Sequence, residues 1–113
     1  MNWNLLNANE QLAEIDEASH RQPVLIFKHS TRCGISSTAL GRLERNWKTE
    51  DSGKLKPYYL DLLAHRNLSN EAAARYKVDH ESPQVLVIKN GACVYSASHL
   101  GIIYADLLQA AEN

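Results

Sequence analysis

The chain has 113 residues, 44% of them hydrophobic and 22% charged, with a formal net charge of -1. That length suits one domain, residues 1–113, with a core of its own. There is no basic excess to recruit nucleic acid or an anionic membrane, and no apolar run long enough to cross a bilayer.

In chain order, Trp3-Asn-Leu-Leu6 is a short strand candidate. No basic region leads into an apolar core there, so no signal peptide is expected and the reading is cytoplasmic. Asn7 and Glu10 form a capping pair for a helix running to about Ala18, with Leu12, Ile15 and Ala18 as its stripe. Val24-Leu-Ile-Phe27 is a continuous apolar run, as expected of a strand buried on both faces. After a polar loop, Ile35, Ala39, Leu43 and Trp47 recur every four residues, with Leu40 beside them, which predicts a helix and its buried face. Glu50 to Lys56 reads as a loop. Tyr58-Tyr-Leu-Asp-Leu62 reads as a strand, with Pro57 at its entry.

Ser69 is a cap for a third helix from Asn70 to about Lys77, with Ala72, Ala73 and Tyr76 facing inward. Gln84 to Ile88 and Cys93 to Ala97 are strands joined at Asn90-Gly91, a strong hairpin signal. Leu100, Ile103, Leu107 and Ala110 have the spacing of a last helix. The order β-α-β-α-β-α-β-β-α predicts an α/β protein with a mixed central sheet and helices on both faces.

The chemistry centres on Cys33. It lies where a buried strand gives way to a helix, and free N–H groups and the positive end of the helix dipole meet there. A thiol so placed is deprotonated more readily than a free one. Arg32 adjoins it and favours a thiolate, and Ser36 is expected to donate a hydrogen bond to the sulfur. Cys33-x-x-Ser36 has the spacing of a redox dithiol motif with the second sulfur removed, so a mixed disulfide on Cys33 needs an external thiol to resolve it. Pro83 begins the hairpin and His99 ends it, which places both at one end of the sheet as candidates to line the site. His29 reads as structural, His80 as a weaker neighbour, and Glu81 as a solvated charge able to reach substrate. Cys93 sits beside the turn, remote from Cys33, where it serves as a small hydrophobe. Two cysteines make no disulfide scaffold, and five histidines without an i,i+4 pair give no metal site.

Phe27-Lys-His-Ser-Thr-x-Cys-x-Ile-Ser36, His80-Glu-Ser-Pro-Gln84, Lys89-Asn-Gly91 and Ala97-Ser-His99 together resemble the YtxJ-like monothiol bacilliredoxins. The resemblance runs from Val24 to the final helix. It implies a thioredoxin-like fold, a Ser82-Pro83 bond of the cis type packed against the cysteine loop, and a Ser82 peptide group that pairs with an extended substrate. It also implies the activity. Cys33 takes bacillithiol from a protein mixed disulfide, with bacillithiol as co-substrate, bacillithiolated proteins as clients, a low-molecular-weight thiol to regenerate Cys33, and no bound cofactor. Arg32 would attract the carboxylates of the thiol's malate group. Family members carry Cys-Pro-Ile-Ser, whereas this chain has Gly34 after Cys33. That moves the motif toward the Cys-Gly-Phe-Ser of monothiol glutaredoxins, which hold a [2Fe–2S] cluster between two subunits. The Gly-Gly segment that holds glutathione in those proteins is replaced here by Ser96-Ala-Ser-His99. A cluster carrier and a non-catalytic adaptor of the same fold are the alternatives.

Overall fold

The computed structural model describes residues 1–51 and 53–112. Ser52, inside the expected Glu50 to Lys56 loop, and Asn113 lie outside the described residues. Five strands, β1 (Asn4–Leu5), β2 (Val24–His29), β3 (Lys56–Asp61), β4 (Gln84–Lys89) and β5 (Ala92–Ser98), form one sheet in the order β1-β3-β2-β4-β5. Pairing is parallel from β1 to β2 and antiparallel from β2 through β4 to β5, so the sheet is mixed. The helices are α1 (Glu10–Ala18), α2 (Gly34–Asn46), α3 (Arg66–Tyr76) and α4 (Tyr104–Glu112).

Strand parity explains the layers. Val24 and Ile26 of β2, with Leu86 and Ile88 of β4, pack on Leu12 and Ile15 of α1 and on Leu68, Ala72 and Tyr76 of α3. The alternate residues Leu25, Phe27, Val85 and Val87 pack on Ala39 and Leu43 of α2 and on Tyr104, Leu107 and Ala111 of α4. β2 and β4 are apolar without alternation because each parity meets a helical layer.

Several boundaries differ from the sequence reading, each for a local reason. The Asn7–Glu10 capping pair does not form. The Gln11 side chain accepts from the N–H groups of Asn7 and Ala8 at 2.7 and 3.0 Å instead, and donates to the Leu5 carbonyl. β3 begins at Lys56, so Pro57 lies inside the strand rather than before it. α3 begins four residues before the expected start. The Asp61 carboxylate accepts from the N–H groups of Leu63 and Ala64, turning the chain directly from β3 into the helix. Ser69 is therefore interior and buried, not a cap. In α2 the buried stripe is Ser36, Ala39 and Leu43, whereas Ile35 is 52% exposed. α4 starts at Tyr104, not Leu100, because residues 99–101 form a separate 3-10 turn that leaves Leu100 and Ile103 exposed. The Tyr104 hydroxyl donates to Asp51 and accepts from the Lys48 N–H, which anchors the helix start.

The hairpin turn has φ of 52° at Asn90 and 77° at Gly91, the two left-handed residues that a tight turn of this hand requires. The Asn90 and Gly91 N–H groups donate to the carbonyl and hydroxyl of Ser19, tying the turn to the end of α1. A bulge follows. Val87 faces Tyr95 but Ile88 faces Cys93, so Val94 is the extra residue. The bulge puts Cys93 and Tyr95 on opposite faces of the sheet, and Cys93 packs on the α1/α3 side.

α3 ends on Lys77 at φ 58°, with the Val78 N–H closing back on the Ala73 carbonyl at 3.1 Å. A glycine relieves the left-handed strain at the cost of a more flexible unfolded chain. Lys77→Gly is expected to raise stability by about 0.5–1 kcal/mol in urea denaturation. A lower midpoint would show that Lys77 contributes more than a backbone angle.

Candidate active site

Cys33 is the residue immediately before α2, at φ -109° and ψ 119°, and is half-buried. It is the N-cap of the helix, at the strand-to-helix junction where the sequence places it. Its N–H donates to the Ser30 carbonyl at 3.1 Å and its own carbonyl accepts from the Ser37 N–H at 3.1 Å. The sulfur thus stands where the first N–H groups of α2 have no acceptor within the helix. Arg32 is exposed on the 30–33 turn beside it.

Ser36 does not hydrogen-bond Cys33. It is wholly buried, accepts from the Ser30 N–H at 3.0 Å, and shares a hydrogen bond with His29 Nδ1 at 2.7 Å. Ser30 is held at both ends, its N–H by Ser36 and its carbonyl by the Cys33 N–H. Ser36 therefore fixes the turn that presents Cys33, through the backbone and not through the sulfur. His29 is buried between the rings of Phe27 and Tyr59, at centroid distances of 6.2 and 5.6 Å. Burial pushes its pKa down, opposed by Asp61 and Glu44.

Antiparallel pairing of Gln84 with both Lys28 and Ser98 brings the end of β2, the start of β4 and the end of β5 together. The Ser82–Pro83 bond is cis. Pro83 is buried, and its carbonyl accepts from the His99 N–H at 3.1 Å. His99 has a left-handed φ of 54°, and its Nδ1 lies 3.7 Å from a Glu81 carboxylate oxygen. Ser82 Oγ is buried without a hydrogen-bond partner among the described residues. His80 turns the other way, its Nδ1 3.3 Å from Ser69 Oγ of α3.

A groove of about 420 Å³ runs beside Cys33, lined by Gly34, Ile35, Thr38, Ala39, Arg42, His99 and Leu100. Arg42 donates to the Ile102 carbonyl at 2.9 Å and ties α2 to the groove's far wall. A cleft of about 480 Å³ near Met1, Trp47 and Lys56 has neither cysteine nor histidine in its lining. The structure thus gathers Gly34 and His99 in the groove next to Cys33, and joins His99 to Pro83. Sequence reasoning missed Ile35 and Leu100 as groove walls because helical spacing marks apolar residues as buried. An apolar residue 76% exposed, as Leu100 is, carries no signal in the sequence.

Cys93 is the second residue of β5, five residues before Ser98 and thus about 17 Å along the strand from the level of Gln84. It is half-buried, burial pushes its thiol pKa up, and Sγ lies 3.3 Å from the Tyr95 carbonyl.

A model of the family described as monothiol bacilliredoxin BrxC matches residues 4–107. A solved protein with a thioredoxin fold, proposed to be an oxidoreductase, is 31% identical, with a TM-score of 0.80 over 94% of this chain and 90% of its own. Thioredoxin from Malassezia sympodialis is 17% identical, with a TM-score of 0.75 over 98% and 89% of the two chains. The long form of spinach chloroplast thioredoxin f is 19% identical, with a TM-score of 0.73 over 99% and 88%. The last two share the fold.

Two outcomes follow from the geometry. A Cβ at Gly34 would meet nothing within 4 Å, and Cys33 already has the extended backbone that a following proline demands. At the first position of a helix, Gly34→Pro is expected to stabilise the protein by about 0.5–1 kcal/mol, read by thermal or urea denaturation. A loss would mean that the Gly34 N–H is engaged. For His29, a pKa lower in the folded than in the unfolded state means that the unfolded chain binds more protons between the two values. Stability should therefore fall as pH drops below the unfolded value of about 6.5, until the folded pKa is passed. His29→Gln should flatten that part of a stability–pH curve, and an unchanged slope would assign it to other groups.

Proposed function

The chain belongs to the monothiol bacilliredoxin family, and from that premise we propose that it removes bacillithiol from protein mixed disulfides, with Cys33 as the only thiol of this chain that takes part. The observation that carries this reading is the isolation of Cys33. Ser36 occupies the second position of the motif and is committed to His29 and Ser30, and the chain's other thiol, Cys93, is on the far part of the hairpin. No internal thiol can expel a substrate from Cys33, so the exchange is suited to carrying a small thiol that a second thiol removes.

In the proposed step the Cys33 thiolate attacks the bacillithiol sulfur of the client's disulfide. The Cys33–bacillithiol bond forms, the client's sulfur leaves as a thiolate, and it takes a proton from water. A second low-molecular-weight thiolate then attacks the bacillithiol sulfur on Cys33, forms a small disulfide, and releases the Cys33 thiolate. Each step is one thiol–disulfide exchange and needs no other oxidant or reductant. The N–H groups at the start of α2 favour the negative sulfur. Arg32 attracts the carboxylates of the small thiol, and the Ser82 peptide next to Pro83 pairs with the client backbone. Client side chains flanking the modified cysteine rest in the groove at Gly34, Ile35, His99 and Leu100. Among the described residues no helix is long and apolar enough to cross a membrane. We place the reaction in the cytoplasm, where low-molecular-weight thiols are kept reduced.

The test is intact mass spectrometry of reduced protein mixed with a bacillithiolated model protein, beside a glutathionylated sample. The expected result is a bacillithiol adduct on the unaltered chain and on Cys93→Ser, none on Cys33→Ser, and little transfer of glutathione. Equal loss in both cysteine variants would overturn the one-thiol mechanism, and equal transfer of glutathione would overturn the assignment of the small thiol.

A further inference from the structure

Lys28 is a buried charge that the proposed mechanism does not use. It follows Phe27 in β2 and shares the parity of Val24 and Ile26, so it points into the α1/α3 layer. The side chain is fully buried. Its Nζ donates to the Ser69 carbonyl of α3 at 3.2 Å, and no ion pair among the described residues neutralises it. Burial pushes its pKa down to about 8. A methionine would fill such a space without the cost of burying an ammonium group. The polar contacts around Lys28 point to what the charge is for.

Two side chains beside Lys28 grip the segment that leads to Pro83. Ser69, whose carbonyl Lys28 holds, has its hydroxyl 3.3 Å from His80 Nδ1. Gln84 stands opposite Lys28 in the β2–β4 ladder, on the same face as Leu86 and Ile88. Its Nε2 donates to the Asp79 carbonyl at 2.9 Å, and its buried Oε1 has no hydrogen-bond partner among the described residues. Residues 79 and 80 are thus held from two elements, β4 and α3; Lys28 bonds the Ser69 carbonyl of one and is the ladder partner of Gln84 in the other. Beyond this segment the Pro83 carbonyl is bonded by His99, a residue of the Cys33 groove.

We propose that Lys28 is a positioning residue for the exchange: its buried ammonium holds the Ser69 carbonyl, sets the Ser69 hydroxyl where it meets His80, and so, together with the Gln84 side chain on Asp79, fixes segment 79–83 as the wall on which an extended client docks beside Cys33. The proposal rests on Cys33 as the nucleophile and on client docking at that segment, and not on the identity of the small thiol.

The test compares two probes that release the same leaving group, pyridine-2-thione, from Cys33 attack. One is 2,2′-dipyridyl disulfide, which needs no docking wall. The other is an extended peptide whose cysteine carries a thiopyridyl group. Lys28→Met keeps the packing and removes the charge. Loss of one hydrogen bond from a charged donor predicts that attack on the peptide slows by about tenfold while attack on the small disulfide stays nearly unchanged. Amide exchange should quicken at residues 79–82 and stay the same at 33–37. Ser69→Ala, which removes only the hydroxyl link to His80, should shift the same rate ratio in the same direction by a smaller factor, and it decides the matter should Lys28→Met fail to fold. An equal fall with both probes, or no fall with either, would overturn the proposal. Neither probe contains bacillithiol, so this result and the transfer assay fail independently.

Discussion

The antiparallel pairing of β2 with β4 is the constraint on which the site depends. Because the two strands run in opposite directions, the end of one lies beside the start of the other. β2 ends at His29, four residues before Cys33, and β4 starts at Gln84, one residue after Pro83. The Lys28–Gln84 pair closes that end of the ladder. Both strands are buried on both faces, and a slip of one residue would turn Val85 and Val87 toward α1 and α3 and Leu86 and Ile88 toward α2 and α4. The core thus enforces the register, and the register places the Cys33 loop against the proline segment.

The single-thiol character of the motif is built into the hydrogen bonding around it. Ser36 accepts from a backbone N–H and shares a second bond with an imidazole in a site closed to water. A hydroxyl is a good donor and acceptor, whereas a thiol is weak in both roles. A cysteine at position 36 would leave the Ser30 N–H and His29 Nδ1 poorly satisfied, at a cost of about 1–3 kcal/mol for a buried group left without its partner. Ser30 also holds the Cys33 N–H, so the cost would fall on the turn that presents Cys33. Serine at this position acts as a brace for the loop.

Much of this was legible in the sequence, and the rest failed for identifiable reasons. The strand-to-helix location of Cys33, the Asn90-Gly91 turn and the shared level of Pro83 and His99 are local or follow from counting along a hairpin, and they stand in the structure. The partner of Ser36 was not legible, because Cys-x-x-Ser spacing puts the two side chains on one helical turn without saying which way a hydroxyl rotates. Helical periodicity assigned Ile35 and Leu100 to the core, yet residues at a helix start and in a 3-10 turn leave the stripe that later turns define. The face on which Cys93 packs depends on the bulge at Val94, and a bulge leaves no mark in apolar alternation. Lys28 ends an apolar run, where a lysine ordinarily reaches solvent; α3 covers it only because Asp61 starts that helix early.

Cys33 therefore has unlike surroundings on its two sides. On the α2 side lies an open groove whose walls, Ile35 and Leu100, are exposed apolar groups. On the α3 side lies a polar cluster in which Lys28, Ser69 and Gln84 are buried and His80 is exposed. The groove adds little to the stability of the free protein, since its apolar walls are left exposed. The cluster lowers stability. Moving the Lys28 pKa from 10.5 to about 8 corresponds to about 3 kcal/mol near neutral pH, a large share of what a domain of this size possesses. The penalty lies under the segment that joins α3 to Pro83, and not under the stretches of sheet distant from the thiol. Stability is thus given up beneath the segment that leads to Pro83, where, in the proposed function, a fixed backbone serves client docking more than it serves the fold.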